Sequence, residues 1–176
     1  MRTAGTVISV CVAALCLWAG SASAQDLYRS SGRWVDDQAR AYSLDSLRGQ
    51  FTVVTLAYGA CRRVCSTSLR LMQRVQRLAD ERGMALTFVV IGLDPEEDKP
   101  ADWAELRRDR ALTRSNWHFL SGDADAVRGV ANRLGVRYWR YDQHTMHDFR
   151  IALLSPEGRI LRSVDAFDAD LRRLLP

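Results

Sequence analysis

Cys61 and Cys65 are the side chains in this sequence best suited to chemistry, four positions apart in Tyr58-Gly-Ala-Cys-Arg-Arg-Val-Cys65. A thiolate attacks disulfides and binds soft metals, whereas the protonated thiol does neither well. The pair follows an apolar, β-branched run, Phe51-Thr-Val-Val-Thr-Leu-Ala57, which has the character of a buried strand. After it, Leu69, Met72, Val75, Gln76 and Ala79 recur at helical spacing. The cysteines therefore stand where a strand hands over to a helix. With Cys65 in the first helical turn, residues at i and i+4 have Cβ atoms about 5–6 Å apart. A disulfide needs Cα atoms about 4.4–6.8 Å apart. The pair can close into a disulfide or open into two converging thiolates, a redox or soft-metal site. The positive end of a helix dipole, with Arg62 and Arg63 beside it, favours the thiolate form. A plain stapling disulfide is the competing reading, and a loop this short constrains the unfolded chain weakly.

Four further residues bear on that site. Asp94, in Asp94-Pro-Glu-Glu-Asp-Lys-Pro100, follows a second apolar run, Ala85 to Ile91. Ligands in open α/β sheets bind beyond the carboxyl ends of the strands, which brings Asp94 towards the cysteines. The alternative is a solvated loop opening a helix, where acids and proline are favoured. His144, Met146 and His147 precede the expected C-terminal hairpin, in a stretch with no proline between Pro100 and Pro156. Imidazole and thioether are copper-ligand types, and His147, entering a hairpin expected to abut the cysteines, is the leading histidine ligand. His118, between two aromatics, is expected to be a strand or surface residue with no chemical role.

The elements that must position these residues follow from periodicity and punctuation. Residues 1–24 have the form of a secretory signal: Arg2, then thirteen apolar-rich residues from Val7 to Ala19, then Ala22-Ser-Ala24. The apolar stretch is shorter than the ~20 residues a spanning helix needs. Cleavage would leave residues 25–176 as one domain in an oxidising compartment, the bacterial periplasm; an uncleaved segment would act as a membrane anchor. Cys11 and Cys16 would leave with it, so the mature chain keeps a site rather than a disulfide scaffold. The net charge of +4 is spread over interspersed acids and bases, which gives nucleic-acid binding no support.

Polar residues 25–50 suit short edge strands. Gly83 and Gly135 are placed to stop helices, Ala101 to Leu112 forms a second helix, and Trp117–Leu120 forms a strand. Asp123 is placed to cap a third helix. Ile151–Leu154 and Arg159–Val164 flank the turn Ser155-Pro-Glu-Gly158 as an antiparallel hairpin, and Asp168 to Leu175 closes the chain as a short helix. The order β-α-β-α-β-α-β-β-α predicts an α/β thioredoxin-like fold: a mixed central sheet flanked by helices, with a C-terminal β-hairpin and helix. Parallel crossovers of this kind close right-handed.

Over residues 50–165 the sequence resembles the Sco/SenC family of copper-binding, thioredoxin-like proteins. The resemblance rests on the strand before Cys61-x-x-x-Cys65, on Gly92-Leu-Asp-Pro-Glu96, on Trp117-x-x-Leu-Ser-Gly122, and on His147 eleven residues before Gly158. It implies copper, Cu(I) or Cu(II), held by Cys61, Cys65 and His147, with Asp94 near the site or on a partner-facing surface. His144 and Met146 are then substitute or entry-path ligands. It further implies a role at the CuA site of cytochrome c oxidase, delivering copper to the subunit that carries it, reducing its cysteines, or both. A periplasmic copper donor or thiol reductant would serve as a further partner. Arg62, Arg63 and Ser66 stand where the family usually has prolines, which changes the docking surface. The alternative from another class is a thiol–disulfide oxidoreductase in which Cys61 attacks and Cys65 resolves, without copper. A peroxidase of similar fold is a weaker third reading.

Overall fold

A computed structural model describes residues 26–59, 65–142 and 144–176, with the side chains of Cys65 and Ser66 outside that description. The expected signal segment, Cys61 and its two arginines also lie outside the described residues. The sheet is built on β3 (Thr52–Ala57), β4 (Thr87–Gly92) and β5 (Trp117–Gly122), mutually parallel, with β3 and β4 buried along their whole length. Strands covered on both faces lose the apolar–polar alternation and become continuous apolar runs, which is why both were legible. Towards one edge, β8 (Ile151–Leu154) pairs antiparallel with β3, and β9 (Ile160–Val164) pairs with β8. Towards the other edge, β1 (Trp34–Asp36) pairs with β5, and β2 (Ala41–Tyr42) with β1. The order is β2-β1-β5-β4-β3-β8-β9, the mixed thioredoxin-like sheet expected.

Successive residues of each strand serve opposite faces. Val53, Phe88, Val90, Phe119 and Leu153 pack with helix α1 (Cys65–Glu81), through Leu69, Met72 and Val75, and with Trp103 of helix α2 (Pro100–Asp109). Val54, Leu56, Val89, Ile91 and Leu120 pack instead with helix α3 (Ala124–Leu134), through Val127, Val130 and Leu134. The α3 boundaries follow local chemistry. The Asp123 carboxylate accepts from the Ala126 N–H at the start, and Gly135 turns left-handed (φ 65°) at the end.

Two segments differ from expectation. The closing helix is a single 3-10 turn, Leu171–Leu174, whose buried leucines cap the α1 face of the core. Residues 138–147, given no element in the expected order, form a separate two-stranded sheet of β6 (Tyr138–Tyr141) and β7 (His144–His147). Neither strand carries an apolar–polar alternation, because one face of this hairpin docks through polar contacts and the other stays exposed. Periodicity had nothing to report there.

The side chains of Phe119 and Trp103 are fully buried and their rings lie 5.9 Å apart. Phe119→Ala should cost about 3–5 kcal/mol, measured as a drop in the urea midpoint of unfolding.

Candidate functional site

Parallel pairing brings the C-terminal ends of β3 and β4 to one edge, Ala57 opposite Gly92. Because β8 runs antiparallel to β3, its first residue, Ile151, lies near that edge too, opposite Thr55. Three segments therefore converge: the chain leaving β3 towards Cys61, the acidic loop leaving β4, and the β6–β7 hairpin that precedes β8. The Thr55 hydroxyl reinforces the junction by donating to the Arg150 carbonyl at 2.7 Å.

Asp98 joins the first two. One carboxylate oxygen accepts the Gly59 N–H at 2.6 Å, and the other accepts the Asp94 N–H at 2.8 Å. Its carbonyl accepts from the Ser121 hydroxyl at 2.6 Å. Space for this carboxylate depends on two glycines. A Cβ on Gly92 would lie 2.6 Å from the Asp98 Cβ, and one on Gly59 would lie 2.9 Å from its oxygen. Burial pushes the Asp98 carboxyl up to about 6, against the opposing pull of the Asp94 and Gly59 N–H groups. A second clamp runs in parallel, with the Tyr58 hydroxyl donating to the Glu97 carboxylate. That bond, followed by burial, pushes the phenol up to about 12.

Asp94 joins the acidic loop to the hairpin. One oxygen accepts from Arg140 at 2.9 Å and from the Thr145 hydroxyl at 3.1 Å, while the other accepts the Glu96 N–H at 3.0 Å. Asp94 is buried, so it belongs to the packed structure rather than to a solvated loop. A cleft of about 390 Å³ lies beside this joint, lined among others by Pro95, Tyr138 and Trp139.

The hairpin register sorts the expected ligands. Tyr138 pairs with His147, Trp139 with Met146, Arg140 with Thr145 and Tyr141 with His144. Alternation puts His147 on the face of Thr145, which docks on Asp94, and puts His144 and Met146 on the opposite, exposed face. His147 is partly buried, and its Nδ1 lies 3.0 Å from the Asp148 carbonyl. A carbonyl only accepts, so this bond places the proton on Nδ1 and leaves Nε2 with the lone pair. Asp148 is itself held by Arg137 through two contacts, at 2.8 and 3.2 Å. Cys65 begins α1; Cys61 lies outside the described residues. Among the described residues, no three His, Cys, Asp or Glu side chains group as a metal site. His118 is partly buried in β5, 5.3 Å from the Tyr42 ring, the strand position expected.

Sequence reasoning singled out Asp94 and passed over Asp98, Arg140 and Thr145. The available signal was the pair of acids four residues apart, Asp94 and Asp98, directly beyond a buried strand. Their separate tasks depend on which neighbours the fold delivers.

Comparison with known proteins follows the same lines. A family model described as SCO1/SenC matches residues 21–174. The SCO1 protein homolog of Bacillus subtilis is 21% identical over 130 residues, covering 72% of this chain and 67% of that protein. The structure of Arabidopsis thaliana ScoI with copper bound superposes with a TM-score of 0.71 at 19% identity, covering 81% of this chain and 90% of that one. BsSco, described as a Sco-family cytochrome c oxidase assembly protein with a disulfide switch, superposes at 0.69 and 19% identity, covering 81% and 86%.

Two predictions concern the clamps. A carboxyl whose folded-state pKa is raised stabilises the fold below its unfolded value near 3.8, and that contribution is lost as pH rises through about 6. Asp98→Asn should flatten this dependence, so the stability difference between the two proteins should change by at most about 3 kcal/mol across that window, read from urea unfolding at stepped pH. Asp94→Ala strips Arg140 and Thr145 of their acceptor. It should cost about 1–3 kcal/mol and speed amide exchange in residues 138–147 while β3 and β4 stay protected.

Proposed function

The chain belongs to the SCO1/SenC family, and we propose that it binds copper through Cys61, Cys65 and His147 and serves assembly of the CuA site of cytochrome c oxidase. It does so as copper donor to the subunit carrying that site, as reductant of the site's cysteines, or as both. The observation that carries this reading is the chain of contacts from His147 to the cysteine loop. Thr145, on the same face as His147, holds Asp94; the Asp94 N–H is held by Asp98; and Asp98 holds Gly59, two residues before Cys61. The Nδ1 contact of His147 supports Nε2 as the ligating nitrogen, since metal-binding imidazoles commonly donate their other N–H to a carbonyl or carboxylate.

Thiolates and imidazole together accept both Cu(I) and Cu(II). Asp94 acts in this reading as a positioning residue, because its oxygens are engaged by Arg140, Thr145 and Glu96. Residues 1–24 direct export to the periplasm, and no described helix is long and apolar enough to cross a membrane.

The thiol–disulfide oxidoreductase reading stays in play because Cys65 begins a helix. The partial positive charge there favours a thiolate at Cys65, which would resolve the mixed disulfide formed when Cys61 attacks a substrate disulfide, leaving Cys61–Cys65 oxidised and the substrate as two thiols. Titration of the reduced protein with Cu(II) separates the two. Metallochaperone function predicts a thiolate-to-copper charge-transfer band, lost in His147→Ala and kept in His144→Ala. Oxidation to a Cys61–Cys65 disulfide without retained copper, indifferent to His147, would assign the protein to thiol exchange alone.

A further inference from the structure

The outer face of the β6–β7 hairpin carries four side chains: Trp139 and Tyr141 from β6, His144 and Met146 from β7. All are exposed, Trp139 at 47%, Tyr141 at 69% and Met146 at 45%, with His144 in the same class. Strand alternation sets them opposite Arg140 and Thr145, which hold Asp94, and Trp139 also borders the cleft beside Pro95. None of the four contributes to either apolar core, so packing does not account for their types.

We propose that His144 and Met146 bind Cu(I), with the Trp139 indole lying against the ion, at a site separate from Cys61, Cys65 and His147. The separation is geometric. His147 and His144 sit on opposite faces of one strand, so no rotation of His144 alone brings both imidazoles to one ion while the hairpin stays docked. On the outer face the required groups do meet. His144 and Met146 are two residues apart on one strand, and Trp139 stands directly across from Met146 and diagonal to His144. Directly opposed Cβ atoms lie about 4.5–5.5 Å apart and diagonal ones about 7–8 Å apart, within reach of aromatic and long side chains.

The donor set selects the ion. Thioether is a soft donor that favours Cu(I), and a single imidazole with it offers the low coordination number a d¹⁰ ion accepts. Neither donor carries charge, and none of the eight paired residues of the hairpin is a carboxylate, so the paired strands offer hard divalent cations no carboxylate ligand. An indole face attracts a cation at close range, and tryptophan is the strongest of the aromatic side chains in this respect. Such a site would hold Cu(I) more weakly and more exchangeably than two thiolates. That suits a way-station on the surface of the element that also carries His147.

The test uses the full chain with Cys11, Cys16, Cys61 and Cys65 all replaced by Ser, so that thiols cannot bind. Cu(I) is titrated against a chromophoric Cu(I) chelator while tryptophan emission is followed. Among the described tryptophans, Trp34, Trp103 and Trp117 are buried, which leaves Trp139 as the exposed reporter. One equivalent of Cu(I) should bind with a change in emission. Met146→Leu and His144→Ala should each weaken binding by at least roughly tenfold, the lower end of what loss of even an outer metal-site partner costs. Trp139→Phe should abolish the emission response and keep the stoichiometry. In the chain with its cysteines intact, Met146→Leu should remove one equivalent of Cu(I) whether or not the cysteine centre binds copper. Failure of the proposed function and failure of this site are therefore read separately. No Cu(I) retained by the cysteine-free chain, or binding unchanged by Met146→Leu, would overturn the site.

Discussion

A buried carboxylate, Asp98, spans the gap between two backbone N–H groups that the sheet alone would leave apart, those of Gly59 and Asp94. The strand ends it joins are parallel neighbours, so their outgoing loops start side by side but have no hydrogen-bonding reason to stay together. Asp98 supplies one. Burial exacts a cost: withdrawal from water pushes the carboxyl pKa up to about 6. Two glycines keep the space it needs. A methyl group at Gly92 would collide with the Asp98 side chain itself.

Everything distinctive about the functional edge hangs from that joint. Asp94, held through its N–H, turns its carboxylate to the hairpin and fixes Arg140 and Thr145. Strand alternation then decides what each neighbouring residue faces. His147 is turned to the docked side with its Nδ1 occupied by a carbonyl. His144 and Met146 are turned outward beside Trp139. One short strand thus serves two surfaces with different side-chain chemistry, an imidazole on the docked face and an imidazole with a thioether on the exposed one.

The acids of this loop answer the question that Asp94-Pro-Glu-Glu-Asp98 raised. They divide between solvent and the packed structure: Glu96 and Glu97 are exposed just ahead of α2, which Pro100 begins. Asp94 and Asp98 are buried and spend their oxygens on the protein itself. Glu97 reaches back to the Tyr58 hydroxyl. Carboxylates used this way fix neighbouring backbone and side chains in place.

The sequence by itself determined the central sheet and the three long helices, and named the thiol and imidazole side chains whose types suit metal binding or disulfide exchange. Buried strands such as Val53–Leu56 and Val89–Ile91 are apolar on both faces, α3 is bracketed by a capping Asp123 and a left-handed Gly135, and thiol and imidazole chemistry belongs to residue types whatever surrounds them. These are local signals, readable within a few turns of chain. The β6–β7 hairpin, the different tasks of Asp94 and Asp98, and the opposite orientations of His144 and His147 were decided only by the tertiary structure. The bonds that dock the hairpin on Asp94 and tie Asp98 to Gly59 reach partners 39 to 51 residues away in the chain. A polar hydrogen bond across such a distance leaves no periodicity at either end.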